Sequence, residues 1–277
     1  MNYRHIYHAG SFSDVIKHLV LMVLLKALQR KDTPFCFLDT HAGIGLYELQ
    51  SEQALKKEEY KNGIGQLFSL DQKTMPPIIQ EYVSIVQKYN VDNKLHFYPG
   101  SPVIAEELLR TQDHMILCEL HQEDYQSLKE NFSNAKNVAI HHTDAYLAIK
   151  AFVPSKLKRG LVLIDPPFEV THEFELIFSA LQKALKHWRS GHFMVWYPIK
   201  NNAAVQAFYR DIKSLNTDHL MIHFSLNHPA EEGKLSACGI VLINPPWQVK
   251  ENVETMLPYL ATALSAEWEF CNCSASF

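Results

Sequence analysis

The feature that most constrains this chain is a series of short apolar runs, each ending in a polar loop, with helical patterns between them. Phe35-Cys-Phe-Leu38 ends at Asp39, Met115–Cys118 at Glu119, and Val138–His141 just before Asp144. Leu161–Ile164 ends at Asp165 and Phe193–Tyr197 at Pro198. Runs of this length bounded by polar residues read as buried strands. Helical spacing fills 102–110, 122–133, 173–187 and 201–213. Strands alternating with helices predict a parallel sheet with helices on both faces, since right-handed crossovers pack each helix back onto it. Leu220–Leu226 and Ala237–Ile243 flank the turn-like Asn227-His-Pro-Ala-Glu-Glu-Gly233. They read as an antiparallel hairpin, which brings the sheet to seven strands and makes it mixed.

Residues 13–30 predict a first helix, with Val15, Leu19, Val23 and Ala27 on one row, Ile16, Val20, Leu24 and Leu28 on the next, and Ser13 as N-cap. One interval breaks the rhythm. Asp39 and Glu119 are 80 residues apart, where a βαβ unit needs only about 30. The excess, 47–97, holds helical stretches at Ser51–Tyr60 and Pro77–Tyr89. It predicts a small helical insertion in a domain made of 1–46 and 98–277.

Several classes are excluded. The longest apolar run, Leu19–Leu25, is followed by Lys26 and falls far short of the about 20 residues of a spanning helix. No small-residue cleavage site follows it, so it is not a signal peptide. Five cysteines form no CxxC pair, which argues for reduced thiols in a cytoplasmic protein rather than disulfides or a cysteine zinc site. A metal site drawn from His5, His8, His141 and His142 has no HExxH helix or Cys partner to support it. The net charge of −4 argues against a strongly basic nucleic-acid binder, but the average hides a pattern. Residues 1–31 carry five Lys/Arg against one Asp, and 150–213 carry ten basic against five acidic residues. These two segments are the candidates for phosphate contact.

Three features carry chemistry. Asp39-Thr-His-Ala-Gly43-Ile-Gly45 places glycines directly after a buried strand, where a ligand can approach the backbone. Glu48 stands where a dinucleotide fingerprint wants its third glycine, and no GxxxxGK[ST] occurs, so a ligand without phosphate fits better. Glu119, at the next strand end, suits a ribose diol, and Asp144, after the third, suits an adenine amino group. The strongest signal is Leu161-Val-Leu-Ile-Asp165-Pro-Pro-Phe168. The two prolines fix the backbone and remove amide donors. That leaves the Asp165 carboxylate and the Pro166 carbonyl as acceptors for a planar exocyclic amine, with Phe168 as a face for a base to stack on. Ile243-Asn-Pro-Pro-Trp247 matches the same pattern. It follows the last strand of the hairpin, away from the glycine loop, and reads as structural or as lining a substrate edge.

These residues resemble class I S-adenosylmethionine-dependent methyltransferases that act on amino groups through [Asn/Asp]-Pro-Pro-[Tyr/Phe]. Tyr3-Arg-His-Ile-Tyr-His-Ala-Gly10, with Asp14-Val, Lys17-His18 and the Asp39-Thr-His-Ala-Gly43 loop, narrows this. The chain resembles the bacterial 23S ribosomal RNA large-subunit methyltransferase J family, which makes N6-methyladenine. The resemblance implies a Rossmann-like α/β fold and S-adenosyl-L-methionine as cofactor. It implies His18, His41, Gly43, Ser101, Glu119, Asp144, Ala145 and Asp165 around the cofactor, with Asp165, Pro166 and Phe168 catalytic. Tyr3 is the implied RNA contact. Ser101-Pro102 reads independently as the N-cap and first residue of a helix. The implied partner is protein-free or precursor 23S rRNA, met by a monomer in the cytoplasm with neither metal nor membrane. Methylation of DNA adenine or of a glutamine amide, and a non-catalytic RNA-binding module, are the alternatives. Phe168 departs from the commoner Tyr, and Ala145 from the commoner Gly.

Overall fold

The computed structural model describes residues 3–227 and 234–271. Helix α1 (Phe12–Gln29) leads into β1 (Cys36–Asp39). Strands β2 (Leu46–Glu48) and β3 (Phe97–Pro99) pair antiparallel and bracket α2 (Glu52–Lys57), α3 (Ile64–Phe68) and α4 (Pro77–Lys88). There follow α5 (Ser101–Leu108), β4 (His114–Glu119), α6 (Gln122–Asn131), β5 (Val138–His142), α7 (Ala145–Phe152) and β6 (Gly160–Ile164). The chain continues through α8 (Glu173–His187), β7 (His192–Pro198), α9 (Asn202–Ser214), β8 (His219–Leu226), β9 (Ala237–Ile243), α10 (Val249–Ala263) and β10 (Ala266–Phe270).

The main sheet runs β10-β8-β9-β7-β6-β1-β4-β5. Strands β5, β4, β1, β6 and β7 are mutually parallel, and β9, β8 and β10 join antiparallel. The sheet thus has eight strands, not the seven expected. The eighth, Ala266-Glu-Trp-Glu-Phe270, alternates exposed glutamates with half-buried aromatics. It is therefore half-solvated and has no apolar run to mark it. It pairs with β8, covering that edge while laying Trp268 and Phe270 on the core. The β8–β9 hairpin forms as expected, and its loop 228–233 lies outside the described residues.

Helix α1 is buried nearly all round, because α4, α5 and α10 pack on it along with the sheet. Its N-cap is Ser11, whose carbonyl accepts from Val15 N at 3.0 Å, and Ser13 lies inside the first turn. Three helices have no counterpart in the sequence reading: α3, of only five residues, α7, of only eight, and α10, whose periodicity is interrupted by Pro258. No helix of the described residues is long and apolar enough to cross a membrane.

The chain leaves β1 toward β4 on one side, while β6 lies on its other side. Loops at the carboxyl ends of these strands diverge there and open a crevice, the usual place for a ligand in such sheets.

Candidate active site

A cavity of about 840 Å³ occupies this crevice. Asp39, Glu119 and Asp165 follow or end three adjacent strands, so the parallel register alone brings β1, β4 and β6 to its floor. Eight carboxylates line the cavity against four lysines. That excess of negative charge suits a cationic ligand and disfavours a pyrophosphate.

Glu119 is 6% exposed. Its Oε2 accepts from Gly43 N at 2.9 Å and its Oε1 from His121 N at 2.7 Å. Burial raises its pKa and these amides oppose the rise. Gly43 has φ +59°, and a Cβ there would stand 2.0 Å from Tyr47 Oη. Asp144 caps α7, its Oδ1 accepting from Tyr146 N at 2.9 Å and Leu147 N at 3.0 Å. Ala145 is buried beside it. Both line the cavity.

Ser101 also lines the cavity, but Gly100 takes the N-cap position of α5. Ser101 is instead a first-turn residue, and its Oγ donates to Asp39 Oδ2 at 2.6 Å. Asp39 is fully buried, and burial pushes its carboxyl up to about 6 against the opposing Ser101 hydrogen bond. Burial pushes His41 down to about 4. His18 is 1% exposed and pairs through Nδ1 with Tyr98 Oη at 2.6 Å. Burial, reinforced by Lys17, holds it well below the usual histidine range, so it stands as a neutral ring.

A chain of polar contacts runs from Asp165 to Tyr3 through Lys17, Asp14 and His5, three residues to which sequence reasoning gave no place in the site. Lys17 Nζ lies 2.5 Å from Asp165 Oδ2 and 2.7 Å from Asp14 Oδ1. Asp14 Oδ2 accepts from Gly10 N and meets His5 Nε2, both at 2.9 Å, and His5 Nδ1 meets Tyr3 Oη at 2.9 Å. Burial opposes charge on Lys17, but the two carboxylates outweigh it and raise its pKa. Asp14 is held well below the carboxylate range by His5 and Lys17 despite burial. The available signal was the spacing: Asp14 and Lys17 sit three apart, about one helical turn, beside the apolar rows of the first helix.

Tyr3 and Pro166 line the cavity, but Phe168 does not. At φ +52°, its ring packs edge-on against Phe174 at 5.0 Å and Trp196 at 6.4 Å. The apolar cluster under α8 outcompetes the open crevice for it, and Trp196 is the indole that lines the cavity. Of the two basic segments, only Lys17 and Lys200 reach the cavity. Arg4 pairs with Glu123 and Asp124, and Lys26 with Glu81. His5 and His8 pair with Asp14 and Glu59, while His141 and His142 pack on Phe152 and Tyr125.

The family model described as "Ribosomal RNA large subunit methyltransferase D, RlmJ" matches residues 32–271. The Ribosomal RNA large subunit methyltransferase J of Haemophilus influenzae is 39% identical over 96% of this chain and 95% of its own length. The Escherichia coli protein of that name is 34% identical over 95% and 94%. A crystal structure of a Legionella pneumophila protein, 35% identical, superposes with a TM-score of 0.88 over 95% of this chain and 97% of that one. By sequence and by fold, the chain belongs to the RlmJ family of ribosomal RNA large-subunit methyltransferases.

Proposed function

We propose that the protein transfers a methyl group from S-adenosylmethionine to the N6 amine of an unpaired adenine in 23S rRNA. The observation that carries this reading is one cavity lined by Gly43, Glu119, Asp144, Asp165 and Pro166 together. Glu119 and Asp144 supply acceptors for a ribose diol and an adenine amine, and the carboxylate excess suits a sulfonium. His18, His41, Ser101 and Ala145 complete the cofactor side. The bound cofactor supplies an electrophilic methyl group.

The chain's own residues then position the nucleophile. Adenine N6 is a weak nucleophile because its lone pair is delocalised into the ring. The Asp165 carboxylate and the Pro166 carbonyl accept its two N–H bonds and turn the lone pair toward the methyl group. Holding reactants in such a geometry contributes several kcal/mol to the barrier reduction. Lys17 holds Asp165 Oδ2, which fixes the carboxylate rotamer and leaves Oδ1 as the acceptor. The amine gives up its proton after the methyl has arrived, so no base must act beforehand. Trp196, backed by Phe168, offers the aromatic wall against which the base rests. Tyr3 stands at the RNA side, and the adenine enters unpaired or flipped out.

Mass mapping of methyladenine in 23S rRNA, from cells with and without the gene, tests the reading. One N6-methyladenine is expected to disappear with the gene and to return with the wild-type gene but not with D165A. An unchanged map would overturn the rRNA assignment.

A further inference from the structure

The Asn244-Pro-Pro-Trp247 turn has no part in the site above. It lies at the opposite end of the sheet, since β9 ends at Ile243 beside Phe193 near the start of β7, while Asp165 follows the end of β6. The turn is held firmly. Asn244, at φ +50°, donates through Nδ2 to the carbonyls of Arg189 and Gly191 at 2.9 Å each. Its N donates to Asp218 O, and its own carbonyl accepts from His192 Nδ1. Two prolines stiffen the rest. What this frame displays is Trp247, 78% exposed.

One cation stands directly over it. Arg30 donates to Trp247 O at 3.2 Å and Gln248 Oε1 at 2.7 Å, and its guanidinium stands 5.9 Å from the indole centroid. The exposed Lys31 follows Arg30 directly in the chain, and the exposed Arg189 joins the turn through its carbonyl. The exposed acids Asp32 and Asp218 offset part of this charge. A rigidly displayed indole flanked by cations is the chemistry that binds unpaired nucleic-acid bases and their phosphates.

We propose that this turn is a second RNA contact, in which Trp247 stacks an unpaired base of the substrate RNA and Arg30, Lys31 and Arg189 take the adjoining phosphates. The proposal rests on the rRNA reading above and extends it to the far end of the sheet. Helix α1 joins the two sites, with Lys17 at one and Arg30 at the other, about 20 Å apart at 1.5 Å per residue. A folded RNA contacted over about 16 base pairs, as double-strand readers do, spans that distance easily.

The test compares protein-free 23S rRNA with a short hairpin cut from it around the methylated adenine. W247A is expected to raise KM for 23S rRNA about tenfold with kcat unchanged, and to leave the hairpin reaction as in wild type. W247F restores most of the loss, and R30Q/K31Q lowers the salt slope of RNA binding by about 1–2. An unchanged KM on the long RNA, or an equal loss on the hairpin, overturns the proposal. So does a wild-type dimer that W247A dissociates in sedimentation, which would make the turn an interface between copies. Failure of the wild-type enzyme to methylate either RNA would instead sink the functional reading, and this is seen before any variant is made.

Discussion

Lys17 Nζ stands 2.5 Å from Asp165 Oδ2 across 148 residues of sequence, with Asp14 Oδ1 2.7 Å away on its other side. One buried ammonium therefore ties the first helix to the end of β6 and orients the carboxylate proposed to receive the amine. Its side chain is 4% exposed, so removing it strands two carboxylates. K17M is expected to cost about 3–5 kcal/mol in urea unfolding and to lower kcat while sparing cofactor binding. D14N/K17M recovers part of the stability but not of kcat. Equal kcat in K17M and wild type would separate Lys17 from catalysis.

Glu119 receives backbone N–H groups on both oxygens. E119Q sets an amide donor against one of them, so the substitution is not a neutral swap. The expected cost is about 1–3 kcal/mol of stability, together with a more than tenfold weaker S-adenosylmethionine affinity by calorimetry. Unaltered affinity in a stable E119Q protein would remove Glu119 from the cofactor site.

Gly43 is expected to be intolerant for two reasons that can be separated. A Cβ would meet Tyr47 Oη at 2.0 Å, and φ is +59°. Y47F removes the first obstacle and leaves the second, worth about 1–2 kcal/mol. G43A/Y47F should therefore bind cofactor better than G43A, though less well than wild type. Identical affinities for G43A with and without Y47F would show that the contact is not what matters.

The Asp39 carboxyl is raised to about 6 from its ordinary 3.8. Between those values the folded protein holds a proton that the unfolded chain has released. Stability attributable to this group therefore falls as pH rises through the window, and the loss is constant above it. D39N cannot titrate. Its stability relative to wild type should improve from pH 4 to pH 6 and then level off, as read from urea midpoints. A pH-independent difference would mean that Asp39 titrates normally.

The strand ends were legible because a buried strand leaves an unmistakable apolar run, and Asp39, Glu119, Asp144 and Asp165 each close or follow one. Strand β10 was not, because one of its faces is wet and its two glutamates break any run. Phe168 could be read as an aromatic beside Asp165, but its direction depends on Phe174 and Trp196, which lie elsewhere in the chain. The same holds for Ser101, whose hydroxyl is taken by Asp39 across 62 residues.

The sequence by itself determined the alternation of strands and helices, and hence which residues close which strands, since these depend on local periodicity and composition. Tertiary structure alone decided which charges meet. It buried Lys17 between two carboxylates and turned Phe168 away from the crevice. It also carried Arg30 and Lys31 to the end of the sheet opposite Asp165, although they share a basic segment with Lys17. A charge's position along the chain says nothing about the end of the sheet it will occupy, because an 18-residue helix spans the molecule from one end to the other.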